Sequence, residues 1–158
     1  MKPDSAANSG ITDPANFPGT ICHLAAFVLD NTTRKGKLEM AQPRILVAED
    51  EAIVACDLID TVEEAGYFVE GPHRDISSAM LAFQKQKPDL AILDVQLGDG
   101  VVYPLARKLA EEHIPIIFHT GNHSPHEIIS QFPQSQALAK PCPPADILGA
   151  VTEALQTH

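Results

Sequence analysis

From position 44 onward, short apolar runs alternate with longer segments in which apolar residues recur at helical spacing. The first pair is the β-rich run "RILVA" at 44–48 and a segment at 52–65, which a glycine at position 66 ends. The apolar stripe predicted for this helix comprises Val54, Leu58, Val62 and Ala65. The pattern therefore predicts a buried strand followed by an amphipathic helix.

The same alternation continues through four more pairs. Strands are predicted in "YFVEG", "DLAILD", "IPIIFHT" and "QALAK". Helices are predicted over "DISSAMLAFQKQ" with Asp75 as its N-cap, from about 101 to 112, weakly from Pro125, and from about 144 to 156. Because strands that alternate with helices form parallel sheets covered on both faces, we expect an α/β fold with a doubly wound five-stranded parallel sheet.

Residues 1–42 differ from the rest of the chain. The clusters "KPDSAANSG", "DPANFPG" and "DNTTRKGK" are turn-forming, and the apolar segment "ICHLAAFVL" is far shorter than the roughly 20 residues that cross a bilayer. We expect residues 1–42 to be a poorly ordered extension and residues 43–158 to form one domain. A translation start at Met40 is an alternative that the sequence leaves open.

Composition narrows the classes of function. The net charge of -10 is carried entirely by residues 43–158, because the acidic and basic residues of 1–42 cancel. A domain this acidic is a poor nucleic-acid binder, and it favours cations and cationic protein surfaces. The three cysteines are far apart and form no Cys-x-x-Cys pair. We expect a cytoplasmic protein that does not associate with membranes.

Polar residues with useful chemistry follow the predicted strands. They are Glu49 and Asp50 after the first strand, Asp94 after the third, Thr120 after the fourth and Lys140 after the fifth. Because ligands of such sheets bind beyond the carboxyl ends of the strands, these side chains can converge on one cleft. Clustered carboxylates favour a divalent cation, and oxygen ligands favour Mg²⁺. A metal beside a lysine and a threonine suits a transferring phosphoryl group.

Four segments carry a resemblance to a known family. "ILVAEDE", "AILDVQLGDG", "IIFHTG" and "LAKP" occur in this order at consecutive predicted strand ends. Together they resemble the receiver domain of two-component response regulators, over about residues 43–157. The resemblance implies a (βα)5 flavodoxin-like fold. It also implies a phosphoryl-accepting signalling domain rather than an enzyme, with slow autodephosphorylation only.

The resemblance assigns roles to individual residues. Asp94 resembles the aspartate that accepts a phosphoryl group from a histidine kinase or a histidine phosphotransfer protein. Thr120 would hydrogen-bond the phosphoryl group and Lys140 would pair with it. Mg²⁺ would be held by Glu49, Asp50, Asp94 and the backbone carbonyl of Gln96.

Two departures from the family pattern concern the switch. Most receivers carry an aromatic residue three positions before the lysine, whereas this chain has Ala137. The fourth strand ends in "FHTGN", and the segment after it contains Pro125 and Pro133. These features resemble a Phe-x-Thr-Gly subfamily that lacks this aromatic and is often served by kinases of the HWE type. That resemblance implies Gly121 and the following loop as the moving part.

The first predicted helix has a second apolar line beside its stripe, formed by Ile53, Cys56 and Ile59. In receivers this flank resembles the surface that docks the phosphodonor, so we predict partner contact there. The alternative is a broad stripe covered by other parts of the same fold. Asp99, between two glycines, is interpreted as a turn residue.

The chain ends soon after the fifth predicted helix, which favours a single-domain response regulator. Its output would come from association with an unknown target, from homodimerisation, or from consuming phosphoryl groups. A receiver fold that binds partners without phosphorylation is the first alternative. A Mg²⁺-dependent phosphohydrolase of aspartyl-phosphate type is the second, although such enzymes usually need a second aspartate at the position of Gln96.

Overall fold

The computed structural model describes residues 42–157, so the predicted extension lies outside the described residues except for its last position. The strands are β1 Arg44–Ala48, β2 Phe68–His73, β3 Leu90–Leu93, β4 Gln96–Leu97, β5 Gly100–Val101, β6 Ile116–Thr120 and β7 Gln136–Ala139. The helices are α1 Ala52–Glu64, α2 Ile76–Lys85, α3 Tyr103–Glu111, α4 Pro125–Gln131 and α5 Pro144–Gln156. Each predicted strand and helix is present, with ends shifted by a few residues.

Five strands form one parallel sheet in the order β2-β1-β3-β6-β7. The predicted doubly wound α/β fold is therefore confirmed. An additional antiparallel hairpin, β4–β5, follows β3 and was not predicted. Val101 belongs to this hairpin, and α3 begins two residues later than expected, at Tyr103.

Alternating side chains of the sheet build two cores, one on each face. On one face, Leu46, Leu93 and Phe118 pack with residues of α2, α3 and α4. On the other face, residues such as Ile92 and Ile117 pack with residues of α1 and α5. The two cores explain why the strands are apolar on both sides.

The sequence predicted the end of α1 correctly and its buried face in part. Gly66, after α1, has a φ of 91°, a left-handed conformation that favours glycine. The buried stripe of α1 consists of Ala55, Leu58 and Val62. The predicted stripe was wrong at its ends, because Val54 is half-buried and Ala65 is exposed.

The N-terminus of α2 is capped twice. Asp75 accepts a hydrogen bond from the Ser78 amide at 2.7 Å, as predicted. Asp99 lies in a turn, also as predicted, but its carboxylate additionally accepts hydrogen bonds from the amides of Ile76 and Ser77 at 2.7 and 3.2 Å. These backbone hydrogen bonds lower the pKa of Asp99. The loop after β3 is thereby tied to the start of α2.

Candidate phosphorylation site

Backbone hydrogen bonds extend the parallel ladders one residue past the strands. The amide of Asp94 donates to the Ala48 carbonyl at 2.8 Å, and the amide of Lys140 donates to the Thr120 carbonyl at 2.8 Å. The carboxyl edge of the sheet is therefore held by hydrogen bonds at four of its strands, β1, β3, β6 and β7. The predicted site residues Asp50, Asp94, Gln96, Thr120 and Lys140 all line one cleft at this edge.

Lys140 occupies the centre of the site. Its Nζ lies 2.7 Å from Glu49 Oε2, 2.7 Å from Asp94 Oδ2 and 3.5 Å from Glu51 Oε1. Burial opposes the ammonium, but the hydrogen bonds to Asp94 and Glu49 outweigh it and raise the pKa of Lys140. Glu51, which the sequence left without a ligand role, thus joins the network through the lysine.

Glu49 is a buried acid, with a relative exposure of 1%. Burial raises its pKa, although the hydrogen bond from Lys140 and one from the Glu51 amide, at 3.1 Å to Oε1, act in the opposite direction. A carboxylate removed from water in this way is stabilised by a cation. Lys140 supplies one positive charge here, and a bound metal would supply more.

The acids are close enough to share a metal ion. One carboxylate oxygen from each of Glu49, Asp50 and Asp94 lies within 4.8 Å of the others. Gln96 is adjacent, since its amide donates to Asp94 Oδ1 at 3.2 Å. A set of oxygen donors with this charge fits a hard cation such as Mg²⁺.

Of the two residues predicted to switch, Gly121 lines the cleft and Ala137 packs against the core. Thr120, at the end of β6, is 2% exposed, and Gly121 follows it at the surface. Ala137 pairs with Phe118 in the sheet and packs against the core on that face. The ring of Phe132 lies 5.2 Å from that of Phe118 and 5.4 Å from that of Tyr103. Aromatic side chains from α3, β6 and the residue that follows α4 therefore belong to the same core as the alanine.

His119 is a site residue that the sequence analysis missed. It lies between Phe118 and Thr120, is 5% exposed, and lines the same cleft as Asp94 and Lys140. Burial lowers its pKa, and the positive charge of Lys140 lowers it further. The alternation along "IIFHT" could have identified it, because a polar residue at an inward position of an apolar strand is uncommon.

The second apolar line of α1 is accessible. Ile53 is 79% exposed, Cys56 is exposed and Ile59 is half-buried. No part of residues 42–157 covers Ile53 or Cys56. Within that range, these two side chains are therefore not part of a broad buried stripe, which was the alternative interpretation.

A doubly wound five-stranded sheet with acids, a threonine and a lysine at its carboxyl edge defines a flavodoxin-like α/β domain. The sequence of residues 45–152 matches the response regulator receiver domain family. The chain belongs to this family, which identifies it as a receiver domain of two-component signalling.

Two relatives illustrate the relationship. The transcriptional regulatory protein PdtaR of Mycobacterium tuberculosis is 32% identical over 114 residues, which cover 68% of this chain and 54% of PdtaR. The phyllosphere-induced regulator PhyR of Methylorubrum extorquens is 31% identical over 132 residues, which cover 81% of this chain and 49% of PhyR. The chain thus spans about half the length of the curated relatives that it matches.

Solved structures agree with this assignment. A response regulator receiver protein from Sinorhizobium medicae superposes with a TM-score of 0.68 at 27% identity, covering 74% of this chain and 97% of that one. The non-phosphorylated HemR receiver domain from Leptospira biflexa gives a TM-score of 0.64 at 26% identity, covering 72% and 94%. Between residues 42 and 157, no helix has the length and apolar character needed to cross a membrane.

Proposed function

We propose that this chain is the phosphoryl-accepting receiver of a two-component phosphorelay, with Asp94 as the phosphoacceptor. The observation that carries the proposal is the ammonium of Lys140, held 2.7 Å from both Asp94 and the buried Glu49. A carboxylate is a competent nucleophile, and a cation beside it can neutralise charge on an incoming phosphoryl group. The geometry thus supports phosphoryl transfer.

In the proposed reaction, an Asp94 oxygen forms a bond to phosphorus as the phosphorus–nitrogen bond of a phosphohistidine donor breaks. The electron pair of that bond leaves with the imidazole nitrogen of the donor. Thr120 donates a hydrogen bond to the transferred group and Lys140 pairs with its oxygens. Hydrolysis by water later releases inorganic phosphate and restores the carboxylate.

Mg²⁺ would be held by Glu49, Asp50, Asp94 and the backbone carbonyl of Gln96. The donor set supports this assignment, since three carboxylates provide oxygens within 4.8 Å of one another. The ion would neutralise charge on the phosphoryl oxygens. Asp50→Asn should weaken Mg²⁺ binding by about tenfold or more while leaving the fold intact, as followed by titration of backbone NMR shifts.

The phosphodonor is a histidine kinase, of HWE type if the subfamily resemblance holds, or a histidine phosphotransfer protein. It docks on the second apolar line of α1, where Ile53 is 79% exposed beside the site. Ile53→Ser should slow transfer from a kinase that labels the wild type, without changing labelling by acetyl phosphate. Leu81→Ser, at a 52% exposed leucine on α2, is the matched control.

Output is by association with another protein. The switch consists of Gly121, the following loop and α4, which replace the aromatic residue missing at Ala137. The packing of Phe132 against Phe118 and Tyr103 supports this assignment, because α4 ends at the aromatic cluster beside Ala137. Phosphorylation would therefore act on a helix that a single buried side chain, Ile128, anchors to the core.

The decisive experiment is labelling by acetyl phosphate with Mg²⁺, followed by intact mass. Wild type should gain one phosphoryl group that Asp94→Asn abolishes, since the amide is not a nucleophile. Asp99→Asn is the matched control, because it alters an exposed aspartate of the same loop and asparagine also caps helices. Labelling that persists in Asp94→Asn would contradict the assignment, and an unlabelled wild type would favour the phosphorylation-independent binding module.

A further inference from the structure

The imidazole of His119 is buried and has no hydrogen-bond partner within the described part of the chain, residues 42–157. It is 5% exposed, and neither Nδ1 nor Nε2 has a partner among residues 42–157. A buried polar group in this condition costs free energy, so its presence calls for a physical reason. The reason must be sought in the cleft that His119 lines.

The position of His119 places it beside the groups that carry the proposed chemistry. Along β6 it shares a face with Ile117, which belongs to the core beneath α1 and α5. It pairs with Leu138 on β7, and Lys140 follows two residues later on the same face. It also lies one residue beyond the pairing of Leu93 with Phe118, so it is level with Asp94 on β3.

The cleft gives these groups a common space. Its volume is about 820 Å³, and it extends from Asp94 and Lys140 down between α1 and α5, where Leu58 and Ile147 line it. His119 is 5% exposed and lines this cleft together with Asp94 and Lys140. The groups that line the cleft can therefore supply a hydrogen-bond partner for its ring.

The ring is suited to accept a hydrogen bond. Burial lowers the pKa of His119, the charge of Lys140 lowers it further, and Asp94 acts weakly in the opposite direction. A neutral imidazole carries one N–H donor and one acceptor nitrogen. The side chain therefore offers an acceptor close to an ammonium.

The Lys140 ammonium has more N–H donors than it uses for Asp94. Of its three donors, one forms a hydrogen bond with Asp94 Oδ2 at 2.7 Å, and the nitrogen also lies 2.7 Å from Glu49 Oε2. In an acyl phosphate the oxygen of Asp94 bonded to phosphorus no longer carries a full negative charge. The charge moves to the phosphoryl oxygens, and the ammonium must follow it.

Resting on the proposed function, we propose that His119 is a positioning residue for Lys140. Its acceptor nitrogen receives one N–H of the ammonium when Asp94 carries a phosphoryl group, and it thereby holds the charge against the phosphoryl oxygens. This role accounts for a buried ring that has no hydrogen-bond partner among residues 42–157, because the Lys140 ammonium donates to it only in the phosphorylated state.

Two variants test the role by kinetics. His119→Leu removes the acceptor and keeps an apolar side chain, whereas His119→Gln keeps an acceptor oxygen. We expect His119→Leu to lower the maximal rate of labelling by acetyl phosphate about tenfold with little change in the half-saturating concentration, since a hydrogen bond to a charged group is lost. His119→Gln should restore most of the rate. Circular dichroism confirms that both variants are folded.

A spectroscopic measurement on the wild type needs no variant. With Mg²⁺ and beryllofluoride, a mimic of the phosphoryl group, the ¹⁵N shift of the unprotonated ring nitrogen of His119 should move in the direction of a nitrogen that accepts a hydrogen bond. An unchanged ring nitrogen in the beryllofluoride complex, or a His119→Leu variant that labels at the wild-type rate, would overturn the role of His119. If the wild type neither labels nor binds beryllofluoride, the proposed function itself fails.

Discussion

The two sides of the cleft are built differently. On the acid side, Glu49 and Asp94 follow buried strands, and the thirteen-residue α1 packs beneath them with three buried residues. On the response side, α4 has seven residues with Ile128 alone buried, and β7 is only half-buried along most of its length. The acid side is thus fixed by burial, while the response side buries fewer side chains. This difference suits a domain that keeps its chemistry constant and lets the surface beside it change.

The largest expected effect comes from removing the ion pairs by which Lys140 links the two sides. Lys140 belongs to the response side but binds the acids of the other, so Lys140→Met leaves Glu49 buried without its cation. We expect the free energy of unfolding, from urea denaturation, to fall by about 3 kcal/mol. Lys108→Met is the control, because Lys108 pairs with Glu111 at 2.8 Å on the exposed surface. The loss for Lys108→Met should be much smaller than that for Lys140→Met, because water screens an exposed ion pair. Equal losses would mean that the bridge does not join the two sides.

A smaller effect tests how α4 is anchored. Ile128→Ala removes the buried side chain of this helix and should lower the free energy of unfolding by about 2–3 kcal/mol. The adjacent Ile129 is 40% exposed, so Ile129→Ala should change it by less than about 0.5 kcal/mol. Similar losses in the two variants would show that the response side is held by contacts spread along the helix.

The smallest expected effect compares one thiol from each side. Cys56 on α1 is exposed, whereas Cys142, just after Lys140, is half-buried. Burial raises the pKa of Cys142, and the negative charge of Asp146 raises it further. Because the thiolate is the reactive form, alkylation by iodoacetamide near pH 8 should be several-fold slower at Cys142 than at Cys56. The rate of alkylation at Cys142 should continue to rise as the pH is increased further. Peptide mapping measures the alkylation of each cysteine separately. Equal rates at Cys56 and Cys142 would contradict the raised pKa of Cys142.

The fold was predictable because the five strands of the parallel sheet and four of the five helices described for residues 42–157 carry a clear apolar pattern, whereas α4 carries only a weak one. The hairpin β4–β5 was not, since two-residue strands such as Gln96–Leu97 are too short for a period to register. The ends of the α1 stripe were also misplaced, because helical spacing allows Ala55 or Val54 and only packing decides between them.

The acids, the threonine and the lysine of the site were predictable because they follow strands that must share one edge. The contacts between these side chains were not predictable. The position of Lys140 between Glu49 and Asp94 depends on side chains far apart in sequence, and so does the cap that Asp99 provides to α2. The sequence could have singled out His119 as a polar residue in an apolar strand, but its lack of a hydrogen-bond partner among residues 42–157 depends on groups far apart in sequence.

The reach of Lys140 also bears on how the protein folds. The lysine follows β7, an edge strand of the sheet, yet it contacts Glu49 at the end of β1, and both β3 and β6 lie between these strands. This contact can form only after four strands have assembled in order, and such long-range pairing is slow. A partly folded chain would therefore present acids without the lysine. The ability to accept a phosphoryl group would then arise only in the fully assembled sheet. Incompletely folded molecules would therefore not respond to a phosphodonor.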